Sequence, residues 1–160
     1  MILREMNATD QSAFEKFISD WDGALAHSLL YEFSAEGNFV TYLKILKHHN
    51  SSTSLFAFVD DVIVGIVSIR HGLGQTKDNF DGHIGFAVVP EHRQRGYASE
   101  MLKQSLRYCL KFGLNEVSVV CDESNFFSAR VIMKNGGILQ EITVPKEGSS
   151  KKMFFSILAT

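Results

Sequence analysis

One segment of the chain combines residue types and spacing suited to holding an anion: Val88-Val89-Pro90-Glu91-His92-Arg93-Gln94-Arg95-Gly96-Tyr97-Ala98-Ser99. It carries a strand-like apolar run through a short basic turn directly into an amphipathic helix. The first turn of a helix has amides without internal partners and the positive end of the helix dipole, so a phosphate is stabilised there. Gly96 lets the backbone approach a ligand, small Ala98 keeps that approach open, and Arg93 and Arg95 add charge. The plainer reading is a loop glycine before a helix flanked by two solvated arginines. Other phosphate signatures are missing: no GxxxxGK[ST] occurs, and no GxGxxG follows a strand.

His83 heads the strand leading to this turn, and an unperturbed imidazole titrates near neutrality, where it can move protons. It reads either as a general base or as a hydrogen-bonded strand-end histidine. Asp81, Asp122 and Glu123 are substitutes for the base role. Cys109 and Cys121 sit in apolar runs, no CxxC occurs, and adjacent His48-His49 lacks ligand spacing, so no metal is expected. Nothing near Cys121 in sequence activates it as a nucleophile.

These residues need elements to position them. Ile2 to Glu5 reads as a short strand, and Thr9 or Asp10 can cap the helix carrying Phe14, Phe17 and Trp21. Leu25 to Phe33 is ambiguous, and a second amphipathic stretch carries Phe39, Val40, Leu43 and Leu46. Leu55 to Val59 and Val62 to Ile69 form a hairpin about Asp60-Asp61. After a polar Gly72 to Gly82 loop, Ile84 to Val89 is a strand covered on both faces, ended by Pro90. A helix from Gly96 stops at Gly113, Glu116 to Cys121 is a strand, and Phe126 to Asn135 a helix. Ile138 to Val144 and Met153 to Leu158 close the chain as an antiparallel pair. The order is strand, two helices, three strands, helix, strand, helix, two strands, which implies an α/β (α+β) mixed sheet covered by helices.

With 160 residues, 45% hydrophobic and 21% charged, one globular domain spanning 1–160 is expected rather than a disordered chain. A formal charge of −2 gives no whole-molecule attraction to nucleic acid. No apolar run reaches the roughly 20 residues that span a bilayer, and MILREMNATD has no leader pattern. A reduced, cytoplasmic setting is therefore expected, with no membrane or nucleic-acid partner.

Arg93-x-x-Gly96-x-Ala98 after a Val-Val-Pro strand end resembles the acetyl-CoA signature R/Q-x-x-G-x-G/A of the GNAT acetyltransferase superfamily. Asn125-Phe126-Phe127-Ser128 followed by Lys134-Asn135-Gly136-Gly137 resembles that superfamily's N-x-x-S...K-x-G segment. Gly82-His83-Ile84-Gly85 together with Asn135-Gly136-Gly137 is similar to a bacterial subgroup of acetyltransferases. The resemblance covers Leu55 to about Leu158 and reaches the first 50 residues only by element order.

The resemblance implies a mostly antiparallel sheet of about seven strands with helices on both faces. It implies acetyl-CoA in a cleft where two strands splay, and an N-acetyltransferase acting by direct transfer to an amine acceptor, as a monomer or homodimer. Val88 and Val89 would pair with the pantetheine arm, as a ligand strand does. Arg93, Gln94, Arg95, Gly96, Tyr97, Ala98 and Ser99 would hold the pyrophosphate. The amide near Val88 would face the oxyanion, and His83 would be the base. Asn125 would contact pantetheine, cap its helix with Ser128, or do both. The family's usual acid, a tyrosine four residues after the motif serine, is Ile132 here. Tyr97, Tyr108, Tyr31, Tyr42 or water remain as proton sources. The alternative is a CoA-binding regulatory module without turnover. Arg70-His71 is either a polar strand exit or part of the acceptor pocket.

Overall fold

A computed structural model describes residues 1–21, 37–73, 82–145 and 147–160. Among them the elements run β1 (Ile2–Arg4), α1 (Gln11–Ser19), α2 (Phe39–His48), β2 (Ser52–Val59), β3 (Val62–Arg70) and β4 (Ile84–Val88). They continue with α3 (Tyr97–Lys111), β5 (Glu116–Asp122), α4 (Phe126–Lys134), β6 (Ile138–Thr143) and β7 (Lys152–Leu158). The expected order holds. The ambiguous Leu25 to Phe33 stretch, Tyr31, Asp81 and most of the Gly72 to Gly82 loop lie outside the described residues.

The strands form one mixed sheet in the order β1-β2-β3-β4-β5-β7-β6. Every neighbouring pair is antiparallel except β4 and β5. Side-chain alternation along the central strands builds two cores. Leu55, Ala57, Val67 and Ile69 join Met101, Leu102 and Leu106 of α3 and Ile132 of α4 on one face. Phe56, Phe58, Ile63 and Ile66 join Phe14 and Phe17 of α1 and Tyr42 of α2 on the other. The second core is aromatic, with Phe14 stacked on Tyr42 at 5.3 Å and edge-on to Phe56 at 6.0 Å. Gly65 admits α3 to the sheet, since a Cβ there would lie 2.7 Å from the Ala87 oxygen and 2.8 Å from Met101 Cε.

The first helix is entered differently from the expectation. Asn7 Oδ1 accepts from the Thr9 amide at 2.9 Å, while Asp10 turns back to accept from the Asn7 amide at 2.8 Å. Asp10 also binds Arg4 through both carboxylate oxygens, at 2.7 and 2.8 Å. Asp10 does stand at the N-cap of α1, but it makes no side-chain cap bond, because its carboxylate is held by Arg4 in a partly buried ion pair. The outer edge of β1 is also occupied. Leu3 donates its amide to Gln104 Oε1 at 3.1 Å and accepts from the Tyr108 hydroxyl at 3.2 Å.

Candidate active site

Val89 donates to Val64 O at 2.9 Å and Arg70 donates to His83 O at 2.8 Å. Antiparallel alternation then turns the main-chain groups of Gly85 and Ala87 toward β3, and those of Ile84, Phe86 and Val88 toward β5. Yet β5 meets β4 at a single parallel rung, Ile84 with Val119. Beyond it the strands part, so Phe86 and Val88 present backbone groups to a gap. This is the opening expected for a ligand that adds itself as a strand.

At the mouth of that gap Pro90–His92 makes a turn of 3-10 helix, and Arg93 returns its Nε to Val88 O at 3.1 Å. The arginine is therefore drawn onto the strand end, on a carbonyl that the sequence reading assigned to the ligand. Gln94 has φ 61°, an uncommon conformation for a side chain other than glycine. Gly96, at φ 83°, occupies the N-cap of α3, and among the described residues no side chain caps that end. The first-turn amides of Tyr97, Ala98 and Ser99 thus lack a side-chain acceptor at the corner where the resemblance puts a pyrophosphate.

A cavity of about 470 Å³ opens beside Gly96, lined among others by Ser99, Lys103, Lys134 and Asn135. Asn135 Nδ2 donates to Ser99 Oγ at 3.1 Å and to Val131 O at 2.8 Å, tying the end of α4 to the start of α3. Sequence reasoning missed Lys103 and placed Lys134 only in the resembling Lys134-Asn135-Gly136-Gly137 segment. The signal for Lys103 was its place two turns after Gly96, where seven residues return to nearly the same helix face. For Lys134, only the packing of α4 on α3 reveals the cavity.

Asn125 Oδ1 accepts from the Ser128 amide at 3.1 Å, which is the helix-capping role foreseen for the pair. Ile132 is fully buried in the core of α3 and the sheet. Tyr108 is committed to Leu3, and Tyr42 is fully buried among the aromatic rings. The Asp122 carboxyl is held below the usual range by its hydrogen bond from Lys152, with a second from Ser150. A carboxylate so stabilised is a weak base. Burial pushes the Cys121 thiol up to about 11, aided by Asp122, so it stays protonated near neutrality.

His83 makes a different bond from the one a free base needs. Its Nδ1 accepts from the Ser118 amide at 2.9 Å, and its own amide donates to Ser118 O at 2.7 Å. Burial, then the charge of Arg70, lower its pKa. Arg70 also donates through Nη1 to Gly82 O at 2.8 Å. His71 hydrogen-bonds Thr53 Oγ1 at 2.8 Å and stacks on Phe112 at 4.0 Å, which are strand-exit contacts. Among the described residues no cluster of three His, Cys, Asp or Glu is placed to bind a metal, and no helix is long and apolar enough to cross a membrane.

A mixed sheet whose two central parallel strands share one rung, and whose parting ends in an uncapped basic corner, is the architecture of an acetyltransferase. The chain belongs to the GNAT acetyltransferase family: the acetyltransferase (GNAT) domain matches residues 1–138. Solved structures agree on the fold. A GNAT-family acetyltransferase from Streptococcus pneumoniae is 15% identical, with 99% of each chain covered and a TM-score of 0.65. A structure described as a probable acetyltransferase is 16% identical, covering 98% of this chain and 91% of its own, with a TM-score of 0.73. A chimera of the spermidine N-acetyltransferase SpeG from Vibrio cholerae with hSSAT is 16% identical, covering 99% and 95%, with a TM-score of 0.71. A sequence comparison with curated proteins returns no match.

Proposed function

We propose that the chain, as one cytoplasmic catalytic domain, moves the acetyl group of acetyl-CoA to a primary amine by direct transfer within a ternary complex. The neutral amine attacks the thioester carbonyl, the C–N bond forms as the C–S bond breaks, the amine nitrogen gives one proton to water, and the departing thiolate takes one up. The observation carrying this reading is the uncapped α3 corner at Gly96, set where β4 and β5 part. Pyrophosphate lies on the amides of Gly96 to Ser99 with Arg93, Gln94 and Arg95 around it, and pantetheine runs along Phe86 and Val88; Val89, expected beside it, instead gives its amide to Val64 O and its carbonyl to the His92 amide, because strand alternation turns it toward β3. The adenosine end, with its extra phosphate, takes the cavity between Lys103 and Lys134. Asn125 and Ser128 line the pantetheine side, and the Val88 amide faces the developing oxyanion. Water, Tyr97 or Tyr31 supplies the thiolate proton, because Ile132 offers none, Tyr42 is buried and Tyr108 bonds Leu3.

The test is release of free thiol from acetyl-CoA with a broad panel of amines. Spermidine enters it first, as the acceptor named for one fold neighbour. Mass spectrometry then identifies the N-acetyl product. Buried Ile132 favours one second reading, a regulatory module that binds CoA without turnover. Binding of acetyl-CoA with no thiol release between pH 6 and 9 selects that alternative.

A further inference from the structure

Four bonds meet where β4 begins, and three of them involve one residue. His83 donates its amide to Ser118 O at 2.7 Å and receives the Ser118 amide on Nδ1 at 2.9 Å, while its carbonyl accepts from Arg70 of β3 at 2.8 Å. Gly82 is pressed against the same place. Its φ is 67°, it bridges to Val119, its carbonyl accepts from Arg70 Nη1 at 2.8 Å, and a Cβ on it would lie 2.7 Å from Ser118 O. One residue later the single β4–β5 rung is made, and then the strands separate. The imidazole thus supplies, from a side chain, the acceptor that a neighbouring strand would otherwise offer Ser118.

We propose that His83 is a positioning residue that pins the apex of the β4–β5 cleft and so sets its width for the thioester arm. An Nδ1 that accepts an amide proton leaves the ring proton on Nε2. Taking a second proton would set two N–H groups face to face, so the clamp holds only in the neutral ring. Base catalysis through Nε2 needs the opposite tautomer, which opens the clamp. The inference about cleft width rests on acetyl-CoA binding in this cleft, whereas the clamp itself does not.

Wild-type protein, His83→Asn and His83→Ala separate the possibilities. Asparagine Oδ1 reaches about where Nδ1 sits and accepts the same amide, but it cannot take a proton near neutrality. Nitrogen-detected NMR of the wild-type ring should show a neutral imidazole protonated on Nε2, with the Ser118 amide protected from exchange. An Nδ1-protonated or charged ring at pH 7 overturns the proposal with no variant needed. Ser118 protection should persist in His83→Asn and vanish in His83→Ala. CoA affinity should fall about tenfold in His83→Ala, as the apex of the cleft loses its pin, and stay within about threefold of wild type in His83→Asn. If His83→Asn keeps CoA affinity but loses turnover as severely as His83→Ala, the ring moves protons and the proposal fails. Wild-type protein that shows the clamp by NMR yet binds no CoA refutes the acetyltransferase reading and the cleft-width role, and leaves the clamp standing.

Discussion

Gly96 is the residue on which the proposed anion corner turns. Its φ of 83° lies where side chains are strained, and a Cβ built there meets no atom within 4 Å. A longer side chain would project into the space a diphosphate needs. Gly96→Glu should therefore abolish CoA binding in calorimetry while circular dichroism stays near native, with a strain cost of about 1–2 kcal/mol. Unchanged affinity would remove this corner as the site. The strand-to-helix turn at Gly96 was legible in the sequence because a tight turn into a helix has few residue solutions. The Arg93 bond to Val88 O was not, since a flexible guanidinium chooses its partner only after the turn has formed.

At the scale of elements, the β2–β3 hairpin is the least ideal joint. Asp60 and Asp61 both carry positive φ, 47° and 63°, as a two-residue turn of the primed type requires. Aspartate tolerates this less well than asparagine and glycine. The double change Asp60→Asn, Asp61→Gly should stabilise the protein by about 1 kcal/mol, raising Tm by roughly 2–4 °C in calorimetry. No gain would mean that the turn is held by more than its own backbone preference. The hairpin was readable because both flanking runs are β-rich and two turn residues separate them. The α1 cap position was legible as Thr9 or Asp10 and falls on Asp10, but only Arg4 arriving from β1 decides that its carboxylate makes an ion pair rather than a cap bond.

For the molecule as a whole, acid should loosen the fold in two stages. His83 has a lowered pKa when folded, so the unfolded chain binds more protons between that value and about 6.5. Its contribution is complete above about pH 6.5 and declines as pH falls toward the folded value. The Asp10 carboxyl is depressed mainly by its Arg4 hydrogen bond, and Asp122 by Lys152. Their contribution is present above about pH 4 and is lost as pH drops through their folded values. Thermal melts from pH 7.5 to 3 should therefore show Tm falling first below about 6.5 and again below about 4. His83→Asn should flatten only the upper stage. A wild-type Tm constant from pH 7.5 to 5 would contradict the neutral, amide-bound ring.

The sequence alone determined the element order, the strand-to-helix corner and its family, because periodicity, turn residues and close-approach glycines are local properties of the chain. It also marked Asn125 as a cap, through a spacing of three residues. The tertiary structure alone decided that β7 lies between β5 and β6, that Lys103 and Lys134 share a cavity, and that His83 faces Ser118. Those facts are distances between residues far apart along the chain. They arise from the way two cores pack on one sheet, where each side chain takes the partner that packing brings to it.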